Sequence, residues 1–234
     1  MTSTQAQAYY QKDTSQETKH IVQQMLYNKT LERNPKTILE VGMGNGSILK
    51  QFPEHIKTEG VDISPQMVAL ARDNGVEAHV ADITNPEEMK KYYDKDIVIA
   101  NYVFMELTTE EMSKAFKNIH NQLSRKGTFL FTITNPEERG RLHFPGYRVQ
   151  FNAPFDYDQI DQPYTVFLED NKTFVDVGIR DYHKPTKTIE EKLREPGFEF
   201  NKIGISAGLD YDIAFLYEER KKQIEVIKWK KIMH

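Results

Sequence analysis

The chain has 234 residues, a net charge of -4 and no cysteine. This length suits one sizeable domain rather than two. The weak negative charge gives no sign of a nucleic-acid partner, and the lack of cysteine excludes a disulfide framework, a thiolate metal site and a cysteine nucleophile. We expect a soluble, cytoplasmic protein without a membrane partner, because no signal-peptide core and no apolar run of membrane-spanning length is present.

The first 34 residues are predicted to be mainly helical. Thr14 and Glu17 have the spacing of a capping box, and apolar residues then recur at helical spacing to about Leu31, ahead of Pro35. Tyr10 is the second of two adjacent tyrosines before this helix. Such residues are usually packing residues.

The stretch from residue 37 to residue 52 predicts a ligand site. An apolar, β-branched run predicts a buried parallel strand at residues 37–41, and a helix is predicted to begin at Ser47. Gly42, Gly44 and Gly46 lie between them. Glycines let a ligand approach the main chain, and a helix start would add free N–H groups. A glycine turn without a ligand is the alternative.

The glycine spacing separates two cofactor classes. The dinucleotide fingerprint G-x-G-x-x-G requires a third glycine where Ser47 stands. The string Glu40-x-Gly42-x-Gly44-x-Gly46 instead resembles motif I of the class I S-adenosylmethionine-dependent methyltransferases. The resemblance implies that S-adenosyl-L-methionine is the cofactor and S-adenosyl-L-homocysteine the product. It also implies that Glu40 orients the amino-acid part of the cofactor through the loop.

Acidic residues end two further predicted strands, at residues 58–62 and 77–81. Asp62 follows Glu40 by 22 residues and Asp82 follows Asp62 by 20, which predicts three carboxylates along one edge of a parallel sheet. A carboxylate at the second strand end can accept both hydrogen bonds of a ribose diol. Asp82 could instead cap a helix predicted near residues 86–93.

The resemblance extends to the residues around these acids. It implies that Asp82 accepts from the adenine amino group and that Ile63 and Ile83 lie beside the nucleoside. It also implies that an aromatic N-terminal helix folds over the cofactor, which makes Tyr10 a candidate lid residue.

The fourth strand, predicted at residues 96–101, should end beside the first, where open α/β sheets bind ligands. Asn101 and Tyr102 are therefore candidate cofactor contacts. Small-molecule methyltransferases often carry a histidine near position 106, where this chain has Glu106. Tyr102 and Glu106 are candidate catalytic residues. A capping box at Thr108 then predicts a helix, followed by a fifth strand at residues 128–134.

Residues 142–183 are predicted to form an aromatic insert with a small antiparallel hairpin, its strands at residues 164–169 and 173–182. The aromatic residues could form a satellite core or wall an apolar substrate pocket. Under the second interpretation Tyr147 and Phe151 contact the substrate, together with His183, which lies in a string similar to Tyr-His-Arg-Pro of small-molecule methyltransferases. His183 could also act as the general base or be structural.

We predict a single domain with a doubly wound, Rossmann-like α/β fold: a mostly parallel seven-stranded sheet with an antiparallel end strand. Residues 1–34 would form a lid, and residues 219–234 a basic tail of unassigned role. The expected function is methyl transfer to an oxygen or nitrogen of a small-molecule acceptor, without a metal. Two alternatives stay open, namely a protein or RNA methyltransferase that uses the tail, and a non-catalytic module that binds the cofactor. The sequence does not indicate an oligomeric state.

Overall fold

The computed structural model describes residues 16–144, 147–170, 173–205 and 214–221. The α-helices are α1 (Gln16–Leu31), α2 (Pro65–Asp73), α3 (Pro86–Met89), α4 (Thr109–Gln122) and α5 (Thr186–Arg194). Two 3-10 helices lie at Leu49–Gln51 and Pro136–Arg141. The first strands are β1 (Thr37–Val41), β2 (Lys57–Asp62), β3 (Ala78–Val80), β4 (Lys95–Asn101), β5 (Leu123–Thr134) and β6 (His143–Phe144). The others are β7 (Tyr147–Phe151), β8 (Gln162–Asp170), β9 (Thr173–His183), β10 (Phe198–Ile205) and β11 (Ala214–Lys221).

Seven strands form the main sheet in the order β10-β11-β5-β4-β1-β2-β3. Strand β1 pairs in parallel with β2 and β4, and β5 pairs in parallel with β4. Strand β11 is antiparallel to both of its neighbours, β5 and β10. The predicted fold class is confirmed. The antiparallel strand is the last in the chain and lies second from the edge of the sheet.

Helices cover both faces of the sheet, which makes the fold doubly wound. One buried cluster joins the sheet to α4 and α5 through Phe116 and Ile189, and the other joins it to α1 and α2 through Leu26 and Val68. Helix α4 begins with the predicted capping box, in which the Thr108 side chain accepts from the backbone of Glu111. The central strands are buried between two layers, as their continuous apolar runs predict.

Two predicted helices are much shorter than expected. The segment after the glycine loop contains only the 3-10 helix Leu49–Gln51, because Pro53 lacks an N–H and cannot continue a helix. Helix α3 ends at Met89 instead of near residue 93, and the chain turns at Asp94 with a positive φ of 59°. The prediction of a helix N-terminus facing the ligand was therefore wrong at the glycine loop.

The insert forms a separate antiparallel sheet in the order β6-β7-β8-β9. The predicted hairpin corresponds to β8 and β9, and its pairing contains a bulge between Val166 and Phe167. Phe144, Val149 and Tyr164 form a small core of their own. A backbone hydrogen bond of 2.7 Å from Tyr182 N to Met105 O attaches β9 to the segment after β4. The insert therefore lies against the edge of the sheet where β4 ends.

Some predictions lie outside the described residues. These are the tyrosine proposed as a lid residue, Tyr10, the capping threonine Thr14 and the basic tail beyond Lys221. Within the described ranges, no helix combines the length and the apolar character that crossing a membrane requires.

Candidate functional site

The carboxyl ends of β1, β2 and β4 surround a cleft of about 1210 Å³, a volume that includes its solvent-open part. Most of the predicted site residues meet there. Those that line the cleft are Glu40, Gly42, Gly44, Asp62, Ile63, Asp82, Ile83, Asn101, Tyr102 and Glu106. The order of the strands explains this arrangement, because β1 and β4 are neighbours while their following segments run to opposite faces of the sheet.

The three glycines of the loop all have positive φ angles, of 63° at Gly42, 57° at Gly44 and 73° at Gly46. A Cβ atom at Gly42 would lie 2.4 Å from a methyl of Val103, and one at Gly46 would lie 2.8 Å from a methyl of Val76. Packing against the protein therefore requires glycine at both ends of the loop. Gly46 does not line the cleft, so its contribution is to the shape of the loop.

Glu40 is a buried carboxyl group at the base of the cleft, with a side chain that packs under the glycine loop. Burial, with the nearby charge of Asp62, raises its pKa well above the usual value, and a hydrogen bond from the backbone of Leu49 opposes this shift. Its second oxygen, Oε2, is buried and has no hydrogen-bond partner among the described residues. A buried acceptor without a partner is unfavourable. This oxygen therefore fits a ligand that brings an N–H donor, such as an ammonium group.

Asp62 connects the end of β2 to the glycine loop. Its Oδ2 accepts from Gly44 N at 2.9 Å and its Oδ1 accepts from Ser64 N at 2.8 Å. Burial raises the pKa of Asp62, whereas these two hydrogen bonds lower it. A carboxylate oxygen can accept more than one hydrogen bond, so both oxygens can still accept from a diol.

Asp82 does not cap helix α3. Its Oδ1 accepts from both the N–H and the hydroxyl of Thr84, each at 2.8 Å. The cap of α3 is Asn85, whose side chain accepts from Glu87 N at 3.0 Å. Asp82 is therefore held in a local turn at the cleft wall, and the alternative of a helix cap at this position is excluded.

Apolar side chains flank the two acids. Ile83 is buried, whereas Ile63 is 69% exposed although it lines the cleft. A large apolar side chain left open to solvent beside a polar cleft is suited to contact with a flat ring.

Asn101 and Tyr102 form the wall where β4 ends. The hydroxyl of Thr132, on β5, donates to Asn101 Oδ1 at 2.6 Å, which fixes the amide. Tyr102 has a positive φ of 59°, an uncommon conformation for a residue other than glycine that often marks functional sites. The turn ends the strand and directs the following segment along the cleft.

Glu106 faces the cleft from the segment after β4. The residue is exposed to solvent where it lines the cleft. Loss of water to the surrounding protein, together with the nearby charges of Asp181 and Asp62, raises its pKa to about 8. Glu106 is thus a carboxyl group that can gain or lose a proton near neutral pH.

The structure does not bring His183 into this cleft, which corrects its expected position. The side chain is 2% exposed, and its Nε2 lies 2.9 Å from the carbonyl oxygen of Tyr157. Its ring packs against Phe155 with centroids 5.0 Å apart. His183 lines a separate pocket of about 300 Å³, a volume that includes its solvent-open part, together with Arg139. Burial lowers its pKa, which favours the neutral imidazole.

Tyr147 and Phe151 also lie away from the cleft, contrary to their predicted substrate contacts. The ring of Tyr147 stacks on Phe144 with centroids 4.7 Å apart, and Phe151 packs against Tyr164 at 5.1 Å. These aromatic residues form the satellite core that was the alternative interpretation. Tyr147 and Phe151 are partly buried against the core of Phe144, Val149 and Tyr164, which gives the insert an apolar interior of its own.

Asp181 is a buried acid of β9 that the sequence analysis did not identify. It is 5% exposed, and its Oδ1 has no hydrogen-bond partner among the residues described. Alternation along the strand could have indicated it, because Ile179, two residues earlier, lines the cleft. A charged residue at an inward position of an aromatic strand is uncommon and often functional.

Among the residues that the structure describes, one group of possible metal ligands occurs, away from the cleft. Glu59, Glu77 and His79 bring ligand atoms within 4.8 Å of one another, but Lys95 already forms a buried ion pair with Glu59. None of the three lines the cleft. The absence of a metal from the reaction therefore stays a prediction.

Residues 38–127 match the family model of a methyltransferase domain. This range contains the glycine loop and the acids at the ends of β1, β2 and β3, so the match covers the cofactor side of the cleft. Over these residues the chain is similar to a methyltransferase domain. Its strand order and its antiparallel last strand agree with this similarity.

The sequence relatives of this chain are distant. A malonyl-[acyl-carrier protein] O-methyltransferase from Anoxybacillus flavithermus is 30% identical over 142 residues, which are 58% of this chain and 51% of the relative. An uncharacterized methyltransferase from Oceanobacillus iheyensis is 28% identical over 47% of this chain and 52% of that protein. The chain thus spans about half the length of the curated relatives it matches.

Solved structures share the fold over most of the chain. An S-adenosylmethionine-dependent methyltransferase from Clostridium acetobutylicum covers 86% of this chain and 91% of its own, with a TM-score of 0.62 and 17% identity. An amino pentose methyltransferase from Micromonospora echinaspora was solved with S-adenosylmethionine bound. The alignment covers 87% of this chain and 92% of that protein, with a TM-score of 0.59 and 16% identity. At this identity the likeness shows that the chain shares their fold.

Proposed function

We propose that the protein transfers a methyl group from S-adenosyl-L-methionine to an oxygen or nitrogen of a small-molecule acceptor. The observation that carries this proposal is the buried carboxyl of Glu40, whose Oε2 has no partner among the described residues and which lines the same cleft as Gly42 and Gly44. A dinucleotide offers no ammonium group for this oxygen, whereas the amino-acid part of S-adenosylmethionine does.

The residues of the cleft fit this cofactor in order along the sheet edge. Glu40 would hold the amino group, and the two oxygens of Asp62 would accept from the ribose hydroxyls. Asp82 would accept from the adenine amino group, with Ile63 and Ile83 on either side of the ring. Each of these assignments matches one donor of the cofactor to one carboxylate of the cleft wall.

When bound, the cofactor supplies a methyl group that is activated by its attachment to a positively charged sulfur. The protein therefore has to orient the acceptor, exclude water and remove a proton where the acceptor must lose one. Tyr102 and Asn101 form the wall on the acceptor side. Glu106 can receive the proton, because its pKa of about 8 lies near the working pH.

Several features support a small-molecule acceptor. The insert covers the cleft edge near Glu106, as the contact of Tyr182 with Met105 indicates. A protein of the same fold is named an amino pentose methyltransferase. We propose that residues 1–34 form a lid over the cofactor, and that the protein acts in the cytoplasm without a nucleic-acid partner.

An acceptor carried by a protein is the second candidate function. The specific observation is the 30% identity to a methyltransferase named for a malonyl group on acyl-carrier protein. Separation of labelled products into small-molecule and macromolecular fractions distinguishes the two candidates.

Isothermal titration calorimetry with S-adenosylhomocysteine, S-adenosylmethionine and NAD tests the cofactor assignment. We expect both sulfur compounds to bind and NAD to show no heat, because Ser47 breaks the dinucleotide spacing. Binding of NAD with no response to S-adenosylhomocysteine would overturn the proposal. Incubation with methyl-labelled S-adenosylmethionine and a metabolite extract then tests the transfer itself.

A further inference from the structure

The cofactor cleft has acidic walls, and among the described residues that line it none is lysine, arginine or histidine. Its carboxyl groups are those of Glu40, Asp62, Asp82 and Glu106. S-adenosylmethionine ends in an amino acid, which carries an ammonium group and a carboxylate. The ammonium group is proposed to bind Glu40. The carboxylate then needs a neutral N–H donor, because an unpaired anion beside acidic residues is strongly unfavourable.

The main chain of the glycine loop has already used most of its donors. The N–H groups that donate to acceptors within the protein are those of Met43, Gly44, Gly46 and Ser47. The helix that would have added further N–H groups is reduced to the 3-10 helix Leu49–Gln51, and the N–H of Leu49 donates to Glu40. The role of donor to the carboxylate is therefore left to a side chain.

Gln23 reaches the cleft from helix α1. Among the described residues of α1 it is the one that lines the cleft, and it is half-buried. Tyr27 lies one helical turn later on the same face of α1, because residues four apart are neighbours on a helix surface. The Tyr27 hydroxyl donates to Gln51 O at 3.3 Å, and its ring centroid lies 4.9 Å from that of Phe52. This face of α1 is thus attached to the segment that follows the glycine loop.

The packing of α1 sets which end of the cofactor Gln23 can reach. Val22 and Leu26 are buried in a core that they share with Ile99 of β4, and α1 lies against β4 and β5. In the order β5-β4-β1-β2-β3, these strands and β2 with β3 lie on opposite sides of β1. The ribose and adenine contacts are proposed at the ends of β2 and β3. Gln23 therefore lies at the amino-acid end of the cofactor, on the side of Glu40 away from the nucleoside.

The side-chain amide of Gln23 is available to a ligand. Its neighbour Gln24 lies on the outer face of α1, where its amide donates to Asn28 Oδ1 at 3.1 Å. By contrast, the amide of Gln23 forms no hydrogen bond with another residue of the described chain. A glutamine amide offers two N–H donors and one acceptor oxygen. It therefore matches the donor that the acidic cleft lacks.

We propose that Gln23 binds the carboxylate of the cofactor through the N–H groups of its side-chain amide. The carboxylate accepts from Gln23 while the ammonium group donates to Glu40, so that both charges of the amino-acid part have a partner. A cationic side chain in place of Gln23 would compete with the ammonium group for Glu40, whereas a neutral amide does not. Helix α1 thereby becomes part of the cofactor site.

Calorimetry with two ligands tests this inference, which rests on the proposed function. S-adenosylhomocysteine carries the carboxylate, and its decarboxylated analogue keeps the amino group but lacks the carboxylate. Gln23→Leu retains a good helix former and removes the amide. We expect this variant to bind S-adenosylhomocysteine about tenfold more weakly than the parent and to bind the analogue with the affinity of the parent. Gln24→Leu, on the outer face of α1, is the matched control and should bind both ligands as the parent does.

The other outcomes separate the two proposals. If the parent does not bind S-adenosylhomocysteine, the proposed function fails, and this inference with it. If the parent binds but Gln23→Leu keeps its affinity, or loses the same factor for both ligands, Gln23 does not hold the carboxylate and only this inference fails. Gln23→Glu has a side chain of the same size and should bind S-adenosylhomocysteine more weakly still, because two carboxylates would then face each other. Parent-like affinity in this second variant would contradict the proposal even if Gln23→Leu failed to fold.

Discussion

Asp62 and Gly44 are joined by a hydrogen bond of 2.9 Å between a carboxylate oxygen and a backbone N–H, which ties the end of β2 to the glycine loop. The same carboxylate is the one proposed to hold the ribose. Shaping of the loop and recognition of the nucleoside therefore depend on a single side chain.

Asp62→Ala should weaken binding of S-adenosylhomocysteine strongly, because it removes both the loop contact and the proposed diol contacts. A hydrogen bond to a charged group contributes about 1.5–3 kcal/mol. Asp62→Asn keeps one acceptor oxygen and should lose less. Calorimetry on both variants, with the exposed Asp73→Asn as the control, checks the order of affinities. Equal affinities for all four proteins would place the ribose elsewhere.

Glu40→Gln should affect stability and binding in opposite directions. Since the pKa of Glu40 is raised when folded, the folded state binds its proton more tightly than the unfolded state does. The parent therefore loses stability as the pH rises above about 4.5, and glutamine removes this loss. We expect a higher Tm than the parent at pH 8, similar Tm values at pH 4.5, and at least tenfold weaker S-adenosylhomocysteine binding.

Thermal unfolding at the two pH values and calorimetry at pH 8 measure both effects. The exposed Glu54→Gln is a control for a change of net charge. A variant that is less stable than the parent at pH 8 would show that the carboxylate has a partner that stabilises it in the free protein.

Gly44→Val should abolish cofactor binding, since the valine side chain would enter the surface on which the ligand lies. Gly75→Val provides a matched control, because Gly75 also has a positive φ, of 83°, and does not line the cleft. Both substitutions impose backbone strain and should lower the Tm to a similar extent. Only the first should eliminate the calorimetric signal for S-adenosylhomocysteine. Loss of binding in both variants would mean that fold damage is the cause.

His183→Gln should destabilise the protein without impairing the cofactor site. The hydrogen bond to the carbonyl of Tyr157 and the packing against Phe155 are lost, at a cost of about 1–3 kcal/mol. Because burial lowers the pKa of His183, the unfolded state takes up the proton first as the pH falls below about 6.5, and the parent loses stability there. The variant lacks this titration.

Denaturant unfolding at pH 7.5 and pH 5.5 tests the difference. The loss of stability between the two pH values should be smaller in the variant than in the parent, while S-adenosylhomocysteine affinity stays unchanged. A large decrease in the methyl-transfer rate of the folded variant would instead return His183 to a catalytic role.

Much of the cofactor side of the cleft followed from the sequence. Glu40, Asp62 and Asp82 each end or follow a short apolar strand, and the regular spacing of β/α units requires such strand ends to meet at one edge. Local patterns and topology together were sufficient there. The short 3-10 helix at Leu49–Gln51 was not predicted. The spacing of apolar residues indicated a longer α-helix, which Pro53 prevents from forming.

The acceptor side could not be predicted in the same way. Its geometry depends on how the insert folds back on the sheet, through a contact between Tyr182 and Met105, residues far apart in sequence. His183 was predicted to be functional because it is a titratable residue in a string similar to Tyr-His-Arg-Pro. Its side chain is buried instead, because it points inward from β9 and packs against Phe155. Asp181 belongs to no motif, and its position opposite Tyr164 identifies it in the structure.

The backbone hydrogen bond between Tyr182 and Met105 joins the hairpin to the segment that carries Glu106, so the two segments are coupled. A displacement of the hairpin that admits an acceptor must therefore also shift one wall of the cofactor cleft. Because coupling between two binding sites is reciprocal, an acceptor that fixes the hairpin raises the affinity for the cofactor by the same factor by which the cofactor raises the affinity for the acceptor.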